Sequence, residues 1–304
     1  MDHPHLLHIF SPTKYVSPFD INMAYEARFD GVIPYCNVEL DEVHALTQDT
    51  IFSRSPEGVR RTGIFIGGRE FALALDMLEA ARAAMVPPFA VSVMADPSGA
   101  ITTAAAMVAL AEHWLSREFG ADLAGRRVCV FGGTGPVGMC VALLAARAGA
   151  ECAVVSHQGL GAAQLVADRL AHRFGHALSG LDGSSPAAVA GWLTDIEVVF
   201  STAKAGVRIL DAELLVGAGS LKIAADANAV PPSGIEGVAA NDRGSVIEAS
   251  PGGRARGLGA LAIGDIKYRV HTALLKQMHT AQEPVYLGYE AAYETARAIV
   301  RERG

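Results

Sequence analysis

Glycines at a defined spacing give the clearest chemical signal in the chain. Gly133, Gly135 and Gly138 form a G-x-G-x-x-G pattern between an apolar run at 128–131 and a helical pattern at 137–148, and another apolar run begins at Glu151. In such a unit the first glycine permits the tight turn, the second lets a pyrophosphate approach the backbone, and the third lets helix and strand pack closely. The first N–H groups of the helix also attract phosphate. The pattern predicts a dinucleotide site at Gly133, Thr134, Gly135, Pro136, Val137 and Gly138; the alternative is a similar fold with a degenerate, empty site.

The end of the second strand of such a unit selects between nicotinamide dinucleotides. A carboxylate there binds the ribose 2′-OH of NAD, whereas an arginine accommodates the 2′-phosphate of NADP. This chain has neither and instead carries Ser156, His157 and Gln158. Ser156 and Gln158 can hydrogen-bond either cofactor, and His157 can face the adenine or, when protonated, a phosphate. These residues leave dual specificity or a weak preference open, and His157 also fits a solvated loop.

Two later loops are expected at the same carboxyl edge of the sheet, where ligands of such folds bind. Thr202 and Ala203 follow an apolar run at 197–201, and their small side chains would let the nicotinamide ribose come close. Asn228 lies in the loop 226–232, between an aspartate and two prolines. We predict that all three contact the cofactor. An Asx turn that only shapes the loop is the alternative for Asn228.

Lys267 follows a segment, 257–264, that is rich in glycine. The pattern predicts that Lys267 lies near the start of a helix, where the macrodipole disfavours a cation. This misfit indicates a chemical role, and an ordinary surface lysine is the alternative. The closely spaced His3, His5 and His8 fit a flexible terminus, and we expect no metal site because no other metal-binding pattern occurs. A G-x-S-x-G nucleophile motif is also missing from the sequence.

Composition argues against several classes of protein. The formal net charge of −7 and the pI of about 5.8 do not suit a nucleic-acid binder. No apolar run reaches the ~18 residues expected of a membrane span, and the N-terminus lacks the basic region of a secretory signal. The 4 cysteines have no C-x-x-C spacing. We therefore expect a cytoplasmic protein with reduced, mostly buried thiols.

Apolar runs alternate with helical stretches along the chain, which indicates βαβ units and parallel sheets. The expected strands are 6–10, 62–66, 90–94, 128–131, 151–155, 197–201 and 221–225; the expected helices are 21–28 (capped by Asp20), 70–85, 101–119, 137–148, the second half of 261–278, and 286–301. A short polar stretch at 123–127 marks a domain junction. We predict two α/β domains with parallel sheets. The first is a substrate and catalytic domain over 1–120, joined by C-terminal helices at about 272–304, and the second is a Rossmann-type NAD(P)-binding domain over 121–271.

Five blocks of sequence resemble the methylene-tetrahydromethanopterin dehydrogenases of methylotrophic bacteria, the group that uses nicotinamide cofactors. The blocks are IFIGG at 64–68, TTAAA at 102–106, GTGPVGM at 133–139, DANAVPP at 226–232 and GALAIGDIK at 259–267. The resemblance spans most of the chain, and the glycine and lysine blocks are its most specific part. It implies that hydride passes from methylene-tetrahydromethanopterin to NAD(P)+, giving the methenyl form, in the one-carbon metabolism of formaldehyde oxidation. It also implies a substrate cleft between two domains.

The resemblance further implies roles for single residues. Lys267 occupies the position of the family's catalytic lysine. The NADP-specific branch carries an arginine where this chain has His157, which favours the branch that accepts NAD, alone or with NADP, and that uses the methanopterin carrier. Family members are homo-oligomers, and a trimer is expected. For the pterin, we expect hydrogen bonds from four residues that would equally suit capping or loop roles: Asp20, Asn37, Thr102 and Thr103.

Three other functions stay open at this point. One is a methylene-tetrahydrofolate dehydrogenase, and another is a Rossmann dehydrogenase or quinone reductase of a different kind, including shikimate- or glutamyl-type enzymes. The third is a regulatory protein that senses NAD(P) without turnover. Such a sensor would need the glycine turn but would not need Lys267.

Overall fold

The computed structural model describes residues 3–303, which fall into two compact units. One unit comprises 3–102 with 268–295, and the other comprises 103–267 with 296–303. Each contains one sheet of mostly parallel strands with helices between them, so the α/β fold class is confirmed. The domain boundaries predicted from the sequence differ from these. The prediction places the junction at 120–121 and assigns all of 272–304 to the first domain.

The chain forms twelve strands and eleven α-helices among the described residues. The strands are β1 (Leu6–Phe10), β2 (Gly31–Tyr35), β3 (Thr62–Ile66), β4 (Ser92–Ala95), β5 (Arg127–Phe131), β6 (Glu151–Ser156), β7 (Ser179–Asp182), β8 (Val198–Ser201), β9 (Ile223–Asp226), β10 (Arg243–Val246), β11 (Arg256–Leu258) and β12 (Tyr286–Leu287). The helices are α1 (Pro18–Glu26), α2 (Val43–Phe52), α3 (Pro56–Arg60), α4 (Phe71–Ala83), α5 (Ala100–Phe119), α6 (Pro136–Arg147), α7 (Leu160–Phe174), α8 (Pro186–Leu193), α9 (Ala212–Gly217), α10 (Ala260–Thr280) and α11 (Tyr289–Arg301).

The sheet of the first unit has the order β12-β4-β3-β1-β2, and all of its strand pairs are parallel. Every residue of β3 and β4 is buried. Continuous burial is expected for inner strands of a parallel sheet, because helices cover both faces. The apolar runs that mark these strands in the sequence follow from that position.

Helix α1 begins earlier than the sequence suggests. Ser17 is its N-cap, because the Ser17 hydroxyl accepts a hydrogen bond from the N–H of Phe19 at 3.2 Å. Pro18 follows at the first helical position, where its fixed φ suits a helix and its missing N–H is not needed. The prediction that Asp20 caps a helix from residue 21 was wrong. Asp20 lies inside the first turn and is only 4% exposed.

Strand β2 and helix α2 are not predicted by the apolar pattern. Pro34 interrupts β2, and a proline cannot donate to a sheet ladder, so it is tolerated only at an edge. The structure agrees, since β2 is the outermost strand on its side of the sheet. The turn before α2 contains a capping box in which the side chain of Glu42 accepts a hydrogen bond from the N–H of Glu39 at 2.8 Å.

The sheet of the second unit has the order β10-β11-β9-β8-β5-β6-β7, and only the β10–β11 pair is antiparallel. Counted from β5, the five strands β7-β6-β5-β8-β9 follow the Rossmann order 3-2-1-4-5. One core cluster joins side chains of the central strands to α8 and α9; it includes Val199, Ala224, Leu193 and Leu215. This order places the carboxyl ends of β5, β6 and β8 side by side, at the position where such folds bind a dinucleotide.

The C-terminal part of the chain corrects two predictions. Helix α10 extends over 21 residues from Ala260. The first half of 261–278, which was not predicted to be helical, is therefore helical as well. Tyr286 and Leu287 belong to an edge strand paired with β4 and not to the last helix, which begins at Tyr289.

The cysteines and helices agree with the expectations drawn from composition. Cys129, Cys140 and Cys152 are buried, Cys36 is exposed, and all four are free thiols. Burial raises the pKa of the Cys152 thiol to about 12 and also raises that of Cys129. Among residues 3–303, no helix combines the length and apolar character needed to cross a membrane.

Candidate functional site

The glycine turn lies between β5 and α6, as predicted, but its tight bend is at a different glycine. Gly132 has φ +67°, and a Cβ there would lie 2.5 Å from the carbonyl oxygen of Thr202. Gly133 has an ordinary φ, and its restriction is steric: a Cβ would lie 2.7 Å from the carbonyl oxygen of Val130 and 2.9 Å from a methyl of Val154. The assignment of the bend to Gly133 was therefore wrong by one residue. The close-packing role of Gly138 is confirmed, since a Cβ there would overlap the backbone of Gly132.

Gly135 differs from the other glycines of the turn because space is open beside it. A Cβ on Gly135 would have one neighbour within 4 Å, the carbonyl oxygen of Gly132 at 3.4 Å. Gly135 is also the N-cap of α6, and Pro136 is the first helical residue. Helix geometry leaves the N–H groups of Val137 and Gly138 without carbonyl partners inside the helix. The turn thus offers an open approach and helix-terminal donors, which is the arrangement that a pyrophosphate requires.

This difference between the glycines gives a testable prediction. We expect Gly135→Val to remain folded, because its side chain meets open space, and to bind NADH at least about tenfold more weakly, because it fills the approach of the pyrophosphate. Gly138→Val should instead lose stability through the overlap with Gly132. Circular dichroism and NADH fluorescence titration measure both effects. Gly191→Val, in an open position on α8, is the control, and a folded Gly135→Val variant with unchanged affinity would contradict the assignment.

The end of β6 places the predicted specificity residues at the same edge of the sheet. Ser156 is 2% exposed, and its hydroxyl accepts a hydrogen bond from the N–H of Gln158 at 3.1 Å. The Ser156 hydroxyl therefore shapes the turn after the strand. His157 and Gln158 are exposed, so their side chains are the ones of this predicted trio that are accessible to a ligand.

Hydrogen bonds connect the loop after β8 to the end of β5, where the glycine turn begins, and to the loop after β9. Thr202 donates from its hydroxyl to the carbonyl oxygen of Phe131 at 2.8 Å, which holds the β8 loop, including Ala203, beside the end of β5. The Asn228 side-chain oxygen accepts from the N–H groups of Val230 and Gly206, at 2.8 and 3.1 Å. The first of these bonds makes an Asx turn. The proposed alternative for Asn228 is thus present, and a contact between Asn228 and the cofactor stays a prediction.

Lys267 is the eighth residue of α10 and is partly buried. The prediction that it lies near the start of the helix was wrong, because Gly264 is inside the helix and not before it. The macrodipole acts within the first turn of a helix. The electrostatic misfit therefore disappears, and a catalytic role for Lys267 stays a prediction that rests on the resemblance.

Three of the predicted pterin residues, Asp20, Asn37 and Thr102, belong to the first unit, and each lies after the carboxyl end of a strand of its sheet. Asp20 is buried beside Gly67, which follows β3; a Cβ on that glycine would lie 3.5 Å from an Asp20 carboxylate oxygen. Asn37 comes two residues after β2, is exposed, and has φ +54°. Thr102 is buried in the first turn of α5, with the partly buried Thr103 next to it.

The buried hydroxyl of Thr102 belongs to a polar cluster that the sequence motifs miss. Thr102 donates from this hydroxyl to Oδ2 of Asp96 at 2.6 Å, and Nδ1 of His271 lies 2.8 Å from the same oxygen. Oδ1 of Asp96 accepts from the N–H groups of Ile101 and Thr102. Asp96 and His271 are both 0% exposed. An aspartate just before a helix is a capping signal, but its histidine partner, 175 residues later, has no local signal.

The electrostatics of this cluster favour an ionised carboxylate. Burial by itself would raise the pKa of Asp96, but the hydrogen bond and charge of His271 and the hydrogen bonds from Thr102 lower that pKa overall. The rings of Phe19 and Phe65 lie 5.4 and 5.7 Å from the His271 ring, centroid to centroid. The described residues contain no group of three or more His, Cys, Asp or Glu side chains that could hold a metal ion.

Comparisons with known proteins agree with this geometry. Residues 18–98 match the family model described as methylene-tetrahydromethanopterin dehydrogenase, N-terminal. The NAD(P)-dependent methylenetetrahydromethanopterin dehydrogenase of Methylorubrum extorquens is 45% identical over 294 residues, which cover 97% of this chain and 98% of that protein. The bifunctional protein MdtA of the same organism is 34% identical with the same coverage. Among solved structures, shikimate 5-dehydrogenase from Listeria monocytogenes is 13% identical, has a TM-score of 0.51 and matches 97% of this chain and 96% of its own, a likeness of fold alone. The chain belongs to the methylenetetrahydromethanopterin dehydrogenase family.

Proposed function

We propose that the protein transfers a hydride from 5,10-methylene-tetrahydromethanopterin to NAD(P)+, giving the methenyl form, in the one-carbon metabolism of formaldehyde oxidation. The observation that carries this is 45% identity over nearly the whole chain to an NAD(P)-dependent enzyme of that name. The open Gly135 at the N-terminus of α6 supports the nucleotide half of the reaction. Family membership favours an enzyme over a sensor and over a dehydrogenase of another class.

The chemistry asks little acid–base work of the protein. The reacting carbon lies between two nitrogens, and these stabilise the amidinium-like cation that remains after hydride loss. When bound, NAD(P)+ accepts the hydride at C4 of its nicotinamide. The chain must therefore hold donor and acceptor at about 3–3.5 Å and exclude water. Positioning is the main catalytic task.

We assign this positioning to two sets of residues. The turn formed by 133–138 holds the pyrophosphate, and Thr202, Ala203 and Asn228 line the nicotinamide ribose. Asp20, Asn37 and Thr103 hold polar atoms of the pterin. The Thr102 hydroxyl donates its hydrogen bond to Asp96. Its oxygen can therefore only accept a hydrogen bond from the substrate.

Lys267 needs a role that does not oppose the reaction, since an ammonium beside a developing cation is repelled. We propose that Lys267 is neutralised by a neighbouring group or binds the carbonyl and polar ring atoms of the pterin. In the first role the charge of Lys267 is compensated, and in the second its donors fix the substrate while its charge stays away from the reacting carbon.

For the cofactor we propose that both dinucleotides are used, with NAD preferred, because no arginine follows β6. A homo-oligomer, a trimer by the family resemblance, is also proposed. The free, mostly buried thiols support a cytoplasmic location.

The deciding experiment follows the absorbance of the methenyl product. Methylene-tetrahydromethanopterin and methylene-tetrahydrofolate are each supplied with NAD+ and with NADP+. We expect turnover with the methanopterin substrate and both cofactors, with the higher kcat/KM for NAD+. Faster turnover of the folate would make the protein a folate dehydrogenase, and NADH binding without any turnover would support a sensor.

A further inference from the structure

Asp182 provides a carboxylate at the nucleotide edge of the second sheet, where the sequence motif shows none. It is the last residue of β7 and pairs in register with Ser156, the last residue of β6. Neighbouring strands are about 4.8 Å apart. A Rossmann site presents its ribose-binding carboxylate from the end of the second strand, and here the nearest equivalent is one strand further out.

The surroundings of Asp182 hold its carboxylate towards the loop that follows β6. Oδ1 accepts a hydrogen bond from the N–H of Ser184 at 2.9 Å, and the main-chain oxygen accepts one from the indole of Trp192 at 2.9 Å. Gly159, on the loop after β6, has φ +96°, and a Cβ there would lie 3.9 Å from Oδ1 of Asp182. The carboxylate is therefore adjacent to Gly159 of the loop after β6, and the bonds from Ser184 and Trp192 hold Asp182 in place at the end of an edge strand.

This carboxylate is charged at neutral pH. Hydrogen bonds from Ser184 lower the pKa of Asp182, and desolvation opposes them only weakly. Ser156 cannot supply a comparable discrimination, because its buried hydroxyl already accepts the N–H of Gln158. The group of fixed charge next to the loop is thus negative.

We propose that Asp182 sets the cofactor preference of this enzyme by reading the adenosine end of the dinucleotide and repelling a 2′-phosphate. The proposal rests on the nucleotide site assigned above and adds the residue that selects between its two ligands. A carboxylate accepts hydrogen bonds from the ribose hydroxyls of NAD but meets a like charge in NADP. Like charges close to each other repel even in water, and we expect this repulsion to weaken NADPH binding about five- to tenfold.

The test compares the binding of NADH and NADPH to Asp182→Asn by fluorescence titration. The asparagine keeps an oxygen that can accept the Ser184 N–H, so the strand end should stay folded, which circular dichroism verifies. We expect NADPH to bind about five- to tenfold more tightly and NADH to bind within about threefold of the wild type. Asp195→Asn is the matched control, since it removes the same charge from the loop before β8, at the amino edge of the sheet, and both affinities should then be unchanged.

Three other outcomes overturn the proposal and can be told apart. Unchanged affinities in Asp182→Asn would remove Asp182 from the nucleotide site while leaving that site intact. Equal weakening of NADH and NADPH would make its role structural. If the wild-type protein binds neither dinucleotide, the nucleotide site itself is wrong. Asp182→Ser, whose hydroxyl also accepts the Ser184 N–H, replaces the asparagine variant if that variant does not fold.

Discussion

We expect Lys267→Ala to lower kcat by about 100-fold or more, equivalent to about 2.7 kcal/mol in the barrier. If Lys267 binds the pterin as proposed, the variant loses the donor that holds the substrate at the hydride-transfer distance. Affinity for NAD(P)H should barely change, because the glycine turn is untouched. Single-turnover hydride transfer, followed at the methenyl absorbance with both substrates saturating, measures the effect without product release.

Two further variants make this result specific. Lys276 lies on the same helix and is exposed, so Lys276→Ala should keep nearly the wild-type rate. Lys267→Arg should recover only part of the loss, since a guanidinium is larger and its donors are fixed in a plane. A Lys267→Ala rate within about twofold of wild type would remove the lysine from the mechanism and leave positioning by other groups as the account.

The second large effect concerns the stability provided by Asp96. Asp96→Ala should lower the free energy of unfolding by about 3–5 kcal/mol, because it leaves His271 buried without its partner and removes the acceptor of the N–H groups of Ile101 and Thr102. Urea unfolding followed by circular dichroism measures the loss. Asp49→Ala, at an exposed position within α2, is the control and should change stability by no more than about 0.5 kcal/mol.

The same cluster predicts a dependence on acid. The pKa of Asp96 is lower in the folded chain than its ordinary value, so its ionised form stabilises the fold above about pH 4. That contribution is lost as the pH falls through the lower, folded-state pKa. The stability difference between wild type and Asp96→Ala should therefore narrow as the pH falls from 5 towards 3. A difference that stays constant over this range would mean that folding does not shift the pKa of Asp96, and a difference that widens would mean that folding raises it.

The parts of the fold that are readable from the sequence are those where one local cause decides the structure. Buried parallel strands such as β3 are continuous apolar runs, and Pro87 marks the stop after α4. Edge elements are harder to predict. Strand β2 contains a proline, and β12 has only two residues, so neither has the alternation or length of a recognisable strand. In α10, one of the glycines that suggested a loop, Gly264, lies within the helix, because packing overrides its low propensity.

The candidate site also contains features that can be predicted from local sequence and features that cannot. A glycine turn can be predicted because its steric demands are local. That the tight bend is at Gly132 and not at Gly133 is visible only in the backbone geometry. The Asp96–His271 pair and the place of Asp182 beside β6 depend on contacts between distant segments. One sequence without the fold contains no signal for such contacts.

The outer strands of both sheets have a consequence for how the protein behaves when concentrated. An open sheet edge can recruit a strand from another molecule and start aggregation. In the first sheet, exposed Pro34 removes a donor from one edge, and β12 is too short to act as a template at the other. In the second sheet, β10 has an irregular register between Arg243 and Ser245, and β7 is only four residues long. None of the four edges presents a long, regular row of backbone donors and acceptors, so fibril growth by strand addition is disfavoured at each of them.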